Sequence, residues 1–205
     1  LPLMTERVAT DQDKELVGMD QMEMLLKDEK LPFGQELTVE VADSSYSKPA
    51  SLYAHRKYPN VVTLARSRGN RTYYRKYVPS DEAQAAPGKG HPTWYGERFS
   101  LSDAETWHAP DETLTFPETS RRGKVPMQEC PFTLVRIVRY HKEGKPAFKQ
   151  PLWLIVMGDR REELTLAQIY EAYAVRFDIE HFFRFGKQKL LMVAFQTPEV
   201  EREEN

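Results

Sequence analysis

Four residues in the last quarter of the sequence combine side chains that bind phosphate with one that binds metal ions. They are Tyr173, Arg176, Glu180 and Lys187. At about 100° per residue, this spacing places all four side chains within an arc of roughly 60° on a helix. Arg, Lys and Tyr donate hydrogen bonds to phosphate oxygens, and a carboxylate is an oxygen ligand that Mg²⁺ prefers. The spacing therefore predicts a helix with one chemically active stripe.

The rest of this helix is predicted to be its packing surface. Thr165 and Gln168 form a capping box that indicates where the helix begins. Its apolar residues fall on other parts of the helix surface and are expected to pack against a sheet: Ile169, Phe177, Ile179, Phe182 and Phe183. An alternative interpretation is an ordinary amphipathic helix with ion pairs four residues apart, such as Arg176 with Glu180.

The first third of the chain alternates between strand and helix patterns. Residues 1–9, 37–43 and 60–66 read as strands, and 12–30 and 51–58 as helices. This order favours an α/β unit with parallel strand pairing. A loop-rich middle follows, and then two apolar runs, 131–140 and 151–158, that predict an antiparallel hairpin.

These patterns divide the chain into three segments. Residues 1–68 form the first part of an α/β core, 69–150 a β-containing insertion, and 151–205 the return to the core with the long helix. The chain also begins without Met and stops where a new helix would open, so we expect an internal fragment of a longer protein.

Composition limits the classes of function. The net charge of −2 means that binding to a polyanion depends on local basic clusters. The single cysteine, Cys130, excludes an internal disulfide and suits a reducing cytoplasm. No apolar run approaches the roughly 20 residues of a membrane span, so no membrane partner is expected.

A second carboxylate stands at the end of a predicted strand. Asp43 follows LTVEVA, and carboxylates on a strand end and a helix face can meet although they are far apart in sequence. The alternative for Asp43 is an Asx turn or a helix cap. Asp159 is the competing strand-end carboxylate, and we interpret it as a turn residue in GDRREE.

The Y-x2-R-x3-E-x6-K spacing resembles the signature of bacterial insertion-sequence transposases of the DDE class. The stretches VADSSYS, LARSRGNR and HPTWYGERFSL are also similar to this family. The resemblance implies a ribonuclease H-like core interrupted by a β-rich insertion. It also implies DNA transposition through metal-dependent cleavage and strand transfer of transposon ends.

The resemblance assigns the site residues as well. Asp43 and Glu180 are expected to be catalytic and to hold Mg²⁺ or Mn²⁺ in a two-ion site. The family's first catalytic Asp is missing, together with the first strand of the core, so the fragment alone is expected to be inactive. Tyr173, Arg176 and Lys187 are expected to position the DNA end.

The same resemblance implies the partners. They are double-stranded DNA, as terminal inverted repeats and as target, and a second protomer in a synaptic complex. The expected location is the bacterial cytoplasm, associated with the nucleoid.

Basic and aromatic residues outside the helix extend the DNA interpretation. The first cluster contains Arg66, Arg68, Arg71, Arg75 and Lys76 between tyrosines, and the second contains Arg121, Arg122 and Lys124. Such clusters suit contacts with the DNA backbone, although ordinary solvated surface is the alternative. Trp94 and Trp107 are candidates for base stacking or for packing, and Trp153 is expected in the core.

Two other functions remain open from the sequence. One is a DNA-binding remnant that has lost its chemistry. The other is a ribonuclease H-like nuclease that is not a transposase. A transposase cleaves specifically at its transposon ends, whereas such a nuclease does not, so end-specific cleavage distinguishes the two.

Overall fold

A computed structural model describes residues 8–76, 95–108, 114–115, 127, 130–147 and 149–189. Within these ranges, the side chains of seven residues lie outside the description: Lys76, Leu114, Thr115, Ile179, Phe182, Phe183 and Lys187. The predicted strand at 1–9 therefore lies almost wholly outside the described residues.

The described elements follow the mixed α/β order that the periodicity predicts. The helices are α1 (Lys14–Lys27), α2 (Pro49–Ala54) and α3 (Leu166–Lys189). The strands are β1 (Thr38–Ala42), β2 (Val61–Ser67), β3 (Thr72–Lys76), β4 (Tyr95–Ser100), β5 (Leu114–Thr115), β6 (Phe132–Ile137) and β7 (Leu152–Met157). None of the described helices combines the length and the apolar composition that a membrane span requires.

Local chemistry explains where the first helices begin. The Asp13 side chain accepts a hydrogen bond from the Glu15 amide at 2.8 Å and so caps α1. Pro49 opens α2, because its missing N–H costs nothing in the first helical turn.

The strands form a sheet in the order β1-β2-β7-β6-β5-β3-β4. β1 and β2 are parallel, as predicted, and α2 lies in the connection between them. β6 and β7 pair antiparallel from Phe132 opposite Met157 to Ile137 opposite Leu152, which confirms the predicted hairpin. The insertion strands β3, β4 and β5 belong to this same sheet.

Both faces of the sheet are buried at β2 and β7, with Val62, Leu64, Leu154 and Val156 on one face and a cluster of larger side chains on the other. Trp153, Ile155 and Met157 on β7 are buried there together with Phe132 of β6 and Tyr73 of β3. Burying each such side chain contributes about 1.5–3 kcal/mol. The burial of Trp153 confirms its predicted place in the core.

The chain divides into two compact units, Leu1–Thr165 and Leu166–Asn205. The first contains the sheet with α1 and α2, and the second contains α3. Helix α3 begins directly after Thr165 and continues through Gly186, so this glycine does not end the helix.

Candidate functional site

Asp43 stands immediately after β1, as the sequence predicts, and its side chain is exposed. Its Oδ1 accepts hydrogen bonds from the Ser45 amide at 2.7 Å and from the Ser45 hydroxyl at 2.6 Å. These contacts are those of the Asx turn that we kept as the alternative. An ionised carboxylate has about four acceptor positions, so the turn and metal coordination are compatible.

The side chain of Tyr46 lies near several carboxylates, Asp43 among them. Tyr46 donates a long hydrogen bond, 3.4 Å, to the Lys14 carbonyl. Burial raises the pKa of Tyr46, and the nearby charges of Asp43, Glu15 and Glu40 raise it further.

Asp159 occupies the opposite end of the sheet. β7 runs antiparallel to β2, and Met157 pairs with Thr63, so Asp159 lies near the beginning of β1 and Asp43 near its end. At about 3.3 Å per residue, the two positions are separated by roughly 15 Å along the strands. Asp159 forms a salt bridge with Arg56.

The preceding Gly158 has a φ of +152°, and a Cβ atom there would lie 2.6 Å from the Val61 carbonyl oxygen. Together with the Arg56 salt bridge, this tight backbone gives Asp159 a structural role at the end of β7.

Three of the four stripe residues are described on α3, and their side chains form one group. The Arg176 guanidinium lies 2.8 Å from the Glu180 carboxylate and 5.3 Å from the centre of the Tyr173 ring. It also lies 5.1 Å from the Phe177 ring. The Lys187 side chain lies outside the described residues.

Tyr173 is less accessible than a phosphate ligand is expected to be. Its side chain is 1 % exposed, and its hydroxyl has no hydrogen-bond partner among the described residues. A buried hydroxyl without a partner costs free energy, so it requires a reason such as a ligand oxygen or an ordered water. Glu180, in contrast, has 47 % of its side chain exposed.

The apolar residues of α3 differ in burial. Ile169 is buried, whereas Phe177, which was also predicted to pack, is 43 % exposed. The side chains of Ile179, Phe182 and Phe183 lie outside the described residues. Phe177 borders the charged stripe and covers Arg176.

The first basic cluster separates into exposed and engaged residues. Arg66 and Arg68 are exposed, and the Nε atom of the half-buried Arg71 has no hydrogen-bond partner within the described part of the chain. Arg75 instead donates to His108 Nδ1 at 2.8 Å and lies 3.1 Å from Glu97.

The aromatic residues in and near this cluster are mainly structural. Tyr73 is buried, and Tyr74 packs against Tyr95 with ring centres 5.1 Å apart. Trp107 packs against Trp153 and donates its indole N–H to the Ser100 carbonyl at 2.9 Å. Packing is therefore the role of Trp107 in this structure, whereas Trp94, Arg121, Arg122 and Lys124 lie outside the described residues.

One buried polar group was missed by the sequence reasoning. His55, 3 % exposed, places Nδ1 3.0 Å from Glu40 Oε2 and Nε2 3.4 Å from the Met19 carbonyl oxygen. Thr63 also donates to Glu40 at 2.9 Å. The sequence contained one signal for this buried group, the glutamate within the alternating strand LTVEVA. A charged residue that faces a core requires partners.

The donor chemistry suits a hard divalent cation, since Asp43 and Glu180 are accessible carboxylates. Asp43 belongs to the first compact unit and Glu180 to the second. Among the described residues, no group of three or more His, Cys, Asp or Glu could hold a metal ion.

Comparison with known protein families adds one finding. Residues 4–127 match the family described as DDE superfamily endonuclease. The match covers more than half of the 205 residues and includes Asp43 with the first basic cluster. It ends before α3, so Glu180 lies beyond it. No curated protein and no solved structure matches the chain.

Proposed function

Since the chain belongs to the DDE superfamily endonucleases, we propose that it is a DNA transposase of the insertion-sequence type. Its reaction is the metal-dependent cleavage of transposon ends and their transfer to target DNA. The observation that carries this proposal is Asp43, an exposed carboxylate at a strand end inside the matched region.

The proposed fold is a ribonuclease H-like core interrupted by a β-rich insertion. In this proposal residues 1–68 and 151–205 form the core, and 69–150 form the insertion. The parallel pairing of β1 with β2 supports the core assignment, and the antiparallel strands β3 to β5 support the insertion.

Asp43 and Glu180 are the proposed ligands of Mg²⁺ or Mn²⁺. A third ligand, the family's first catalytic Asp, is not assigned to any residue of this sequence. When bound, a pair of such ions activates the attacking oxygen and stabilises the leaving oxygen of the phosphodiester. The carboxylates fit this role by donor type and accessibility. With one carboxylate unassigned, we expect no strand transfer by these 205 residues alone.

The cationic part of the α3 stripe positions the DNA end. Arg176 offers a planar fork of donors for phosphate, and Lys187 a point charge. Stacking on Tyr173 and Phe177 holds the Arg176 guanidinium in place before DNA arrives. The unpartnered Tyr173 hydroxyl is a further donor for an oxygen that reaches it.

The proposed partners are double-stranded terminal inverted repeats, target DNA and a second protomer in the synaptic complex. Arg66, Arg68 and Arg71 contact the phosphate backbone. The proposed location is the cytoplasm of a bacterium, associated with the nucleoid.

One contact on α3 fits the alternative of an ordinary amphipathic helix. The salt bridge between Arg176 and Glu180 is the ion pair that an ordinary amphipathic helix would form. Because Glu180 is about half exposed, this contact contributes little to stability, and a metal ion or a phosphate can replace it.

Metal binding distinguishes these functions. We expect Asp43→Asn and Glu180→Gln each to weaken Mn²⁺ binding by at least about tenfold, since each removes a charged ligand. Electron paramagnetic resonance of free Mn²⁺ in titrations of the chain measures this affinity. Asp159→Asn is the matched control, because it removes a strand-end carboxylate that is bound to Arg56.

Unchanged Mn²⁺ affinity in both site variants, with duplex binding retained, would favour the DNA-binding remnant. A loss confined to Asp159→Asn would move the site to the other end of the sheet. Equal cleavage of duplexes with and without a cognate terminal repeat would identify a nuclease that is not a transposase.

A further inference from the structure

The connection between β6 and β7 extends the hairpin beyond the sheet, and we call residues 138–151 the hairpin arm. The Ala147 amide donates to the Arg139 carbonyl at 2.7 Å, and the His141 amide to the Lys145 carbonyl at 2.8 Å. Gly144 closes the turn with a φ of +78°, a conformation that favours glycine. These bonds make the arm a two-stranded ribbon with a defined tip.

The arm and the strand residue at its base are strongly basic. Residues 136–150 contain Arg136, Arg139, Lys142, Lys145 and Lys149 against a single acid, Glu143. This local excess of four positive charges contrasts with the net charge of −2 of the whole chain. Within the described residues, none of these five cations forms a salt bridge. Unneutralised cations on a projecting ribbon create a positive potential that attracts a polyanion.

The base of the arm packs against the core. The Arg136 guanidinium lies over the Trp107 ring at 4.7 Å, and Trp107 packs against Trp153 at 5.1 Å. Trp153 is buried in the core of the sheet. The aromatic contacts of Arg136, the strand residue at the base of the arm, therefore connect this base to the core.

The arm also adjoins the first basic cluster. Trp153 pairs with Ser67 on one side and with Arg136 on the other, so β2 ends level with the base of the arm. A Cβ atom on Gly69 would lie 3.0 Å from the Gln150 side chain, which places the turn after β2 against the arm. Because β1 is parallel to β2, Asp43 lies at this same end of the sheet.

We propose that the hairpin arm binds the phosphate backbone of duplex DNA beside the turn that follows β2, which carries Arg68. A two-stranded ribbon fits the major groove, which is about 12 Å wide, with cations reaching the phosphates on both sides. Tyr140, 63 % exposed, is the one large apolar side chain exposed on the described part of the arm, so a lipid surface is a poorer fit. The inference rests on the proposed function and adds a DNA contact to it.

The test is a pair of double variants with the same change in net charge. Lys142→Gln with Lys145→Gln removes two cations from the arm, whereas Lys27→Gln with Lys57→Gln removes two cations that are paired with Glu23. Fluorescence anisotropy of a labelled duplex is measured between about 50 and 200 mM salt. We expect the arm variant to bind about tenfold or more weakly and to lose about 2 from the salt slope. The control variant is expected to match the wild type.

The outcomes separate this inference from the proposed function. Equal binding by the arm variant and the wild type, with weaker binding by Arg66→Gln and Arg68→Gln, would overturn the arm and leave the DNA function intact. Absence of duplex binding by the wild type would overturn both. Tighter binding of the arm to vesicles of anionic lipid than to DNA would also overturn the proposal. Circular dichroism and thermal unfolding confirm that each variant is folded.

Discussion

Cations in the α1–α2 region and cations in the hairpin arm differ in what surrounds them. Around α1 and α2, basic side chains lie against carboxylates in four salt bridges: Lys27 with Glu23, Lys57 with Glu23, Lys48 with Glu15, and Arg56 with Asp159. The hydrogen bonds from Lys27 and Lys57 lower the pKa of Glu23 to about 2. The arm has the same residue types with no such partners among the described residues.

This contrast indicates that basic side chains have two different roles in the protein. A cation held by a carboxylate joins elements of the fold and is electrically neutralised at short range. The positive charge of a cation without a carboxylate partner is not neutralised, so it attracts an anionic ligand from solution. Charge count alone therefore does not identify a DNA surface, and the pairing state of each cation must be known.

The largest expected effect tests whether the contribution of a cation to DNA affinity depends on its having a carboxylate partner. Arg66→Gln with Arg68→Gln removes two exposed cations and is expected to weaken duplex binding about tenfold or more and to reduce the salt slope by about 2. Lys27→Gln with Lys57→Gln makes the same change in net charge but removes cations already bound to Glu23. Anisotropy titrations measure both, and an equal loss in the two variants would remove the distinction.

The next effect concerns the most buried charge pair of the α1–α2 region. Glu40→Gln is expected to destabilise the fold by about 2 kcal/mol, because it removes a charged acceptor from His55 and Thr63. Burial lowers the pKa of His55, but the hydrogen bond and charge of Glu40 outweigh burial and raise the pKa above its usual value.

This raised pKa fixes the sign of the pH dependence. The contribution of His55 to stability is complete below its unfolded pKa of about 6.5 and is lost as pH rises through the folded pKa. Urea unfolding at about pH 5.5 and about pH 8 should therefore show a larger effect of Glu40→Gln at the lower pH. Glu36→Gln, which changes an exposed carboxylate, serves as the control. A larger effect at the higher pH would contradict the assignment.

The smallest effect compares a salt bridge of the α1–α2 region with neighbouring opposite charges in the arm. A double-mutant cycle on Arg56 and Asp159 is expected to give a coupling of about 0.5 kcal/mol, since Asp159 is mostly exposed. The same cycle on Lys142 and Glu143 should give no measurable coupling, because the structure contains no ion pair between them. Chemical unfolding of the variants measures both couplings. A larger coupling energy between Lys142 and Glu143 than between Arg56 and Asp159 would contradict this expectation.

Local spacing was sufficient to predict most of the described elements. The alternation in residues 37–43 and the apolar runs of β6 and β7 led to strands that the structure contains. The pattern after Thr165 led to α3, and the intervals between Tyr173, Arg176 and Glu180 placed them on one side of it. These properties depend on neighbours within a few turns or along one strand, so the sequence contains them directly.

Pairing between distant residues was not predictable in this way. The carboxylate opposite Arg56 is 103 residues away, and the partner of His55 is determined by how α2 covers β1. The interleaved tyrosines of the first basic cluster looked like a binding surface, yet the sheet buries Tyr73. The sequence determined the elements, the helical stripe and the candidate carboxylates. Pairs four residues apart, such as Glu23 with Lys27, follow from helical spacing. Only the tertiary structure decided which distant charges meet, as Arg56 and Asp159 do, because strand order and not local spacing brings them together.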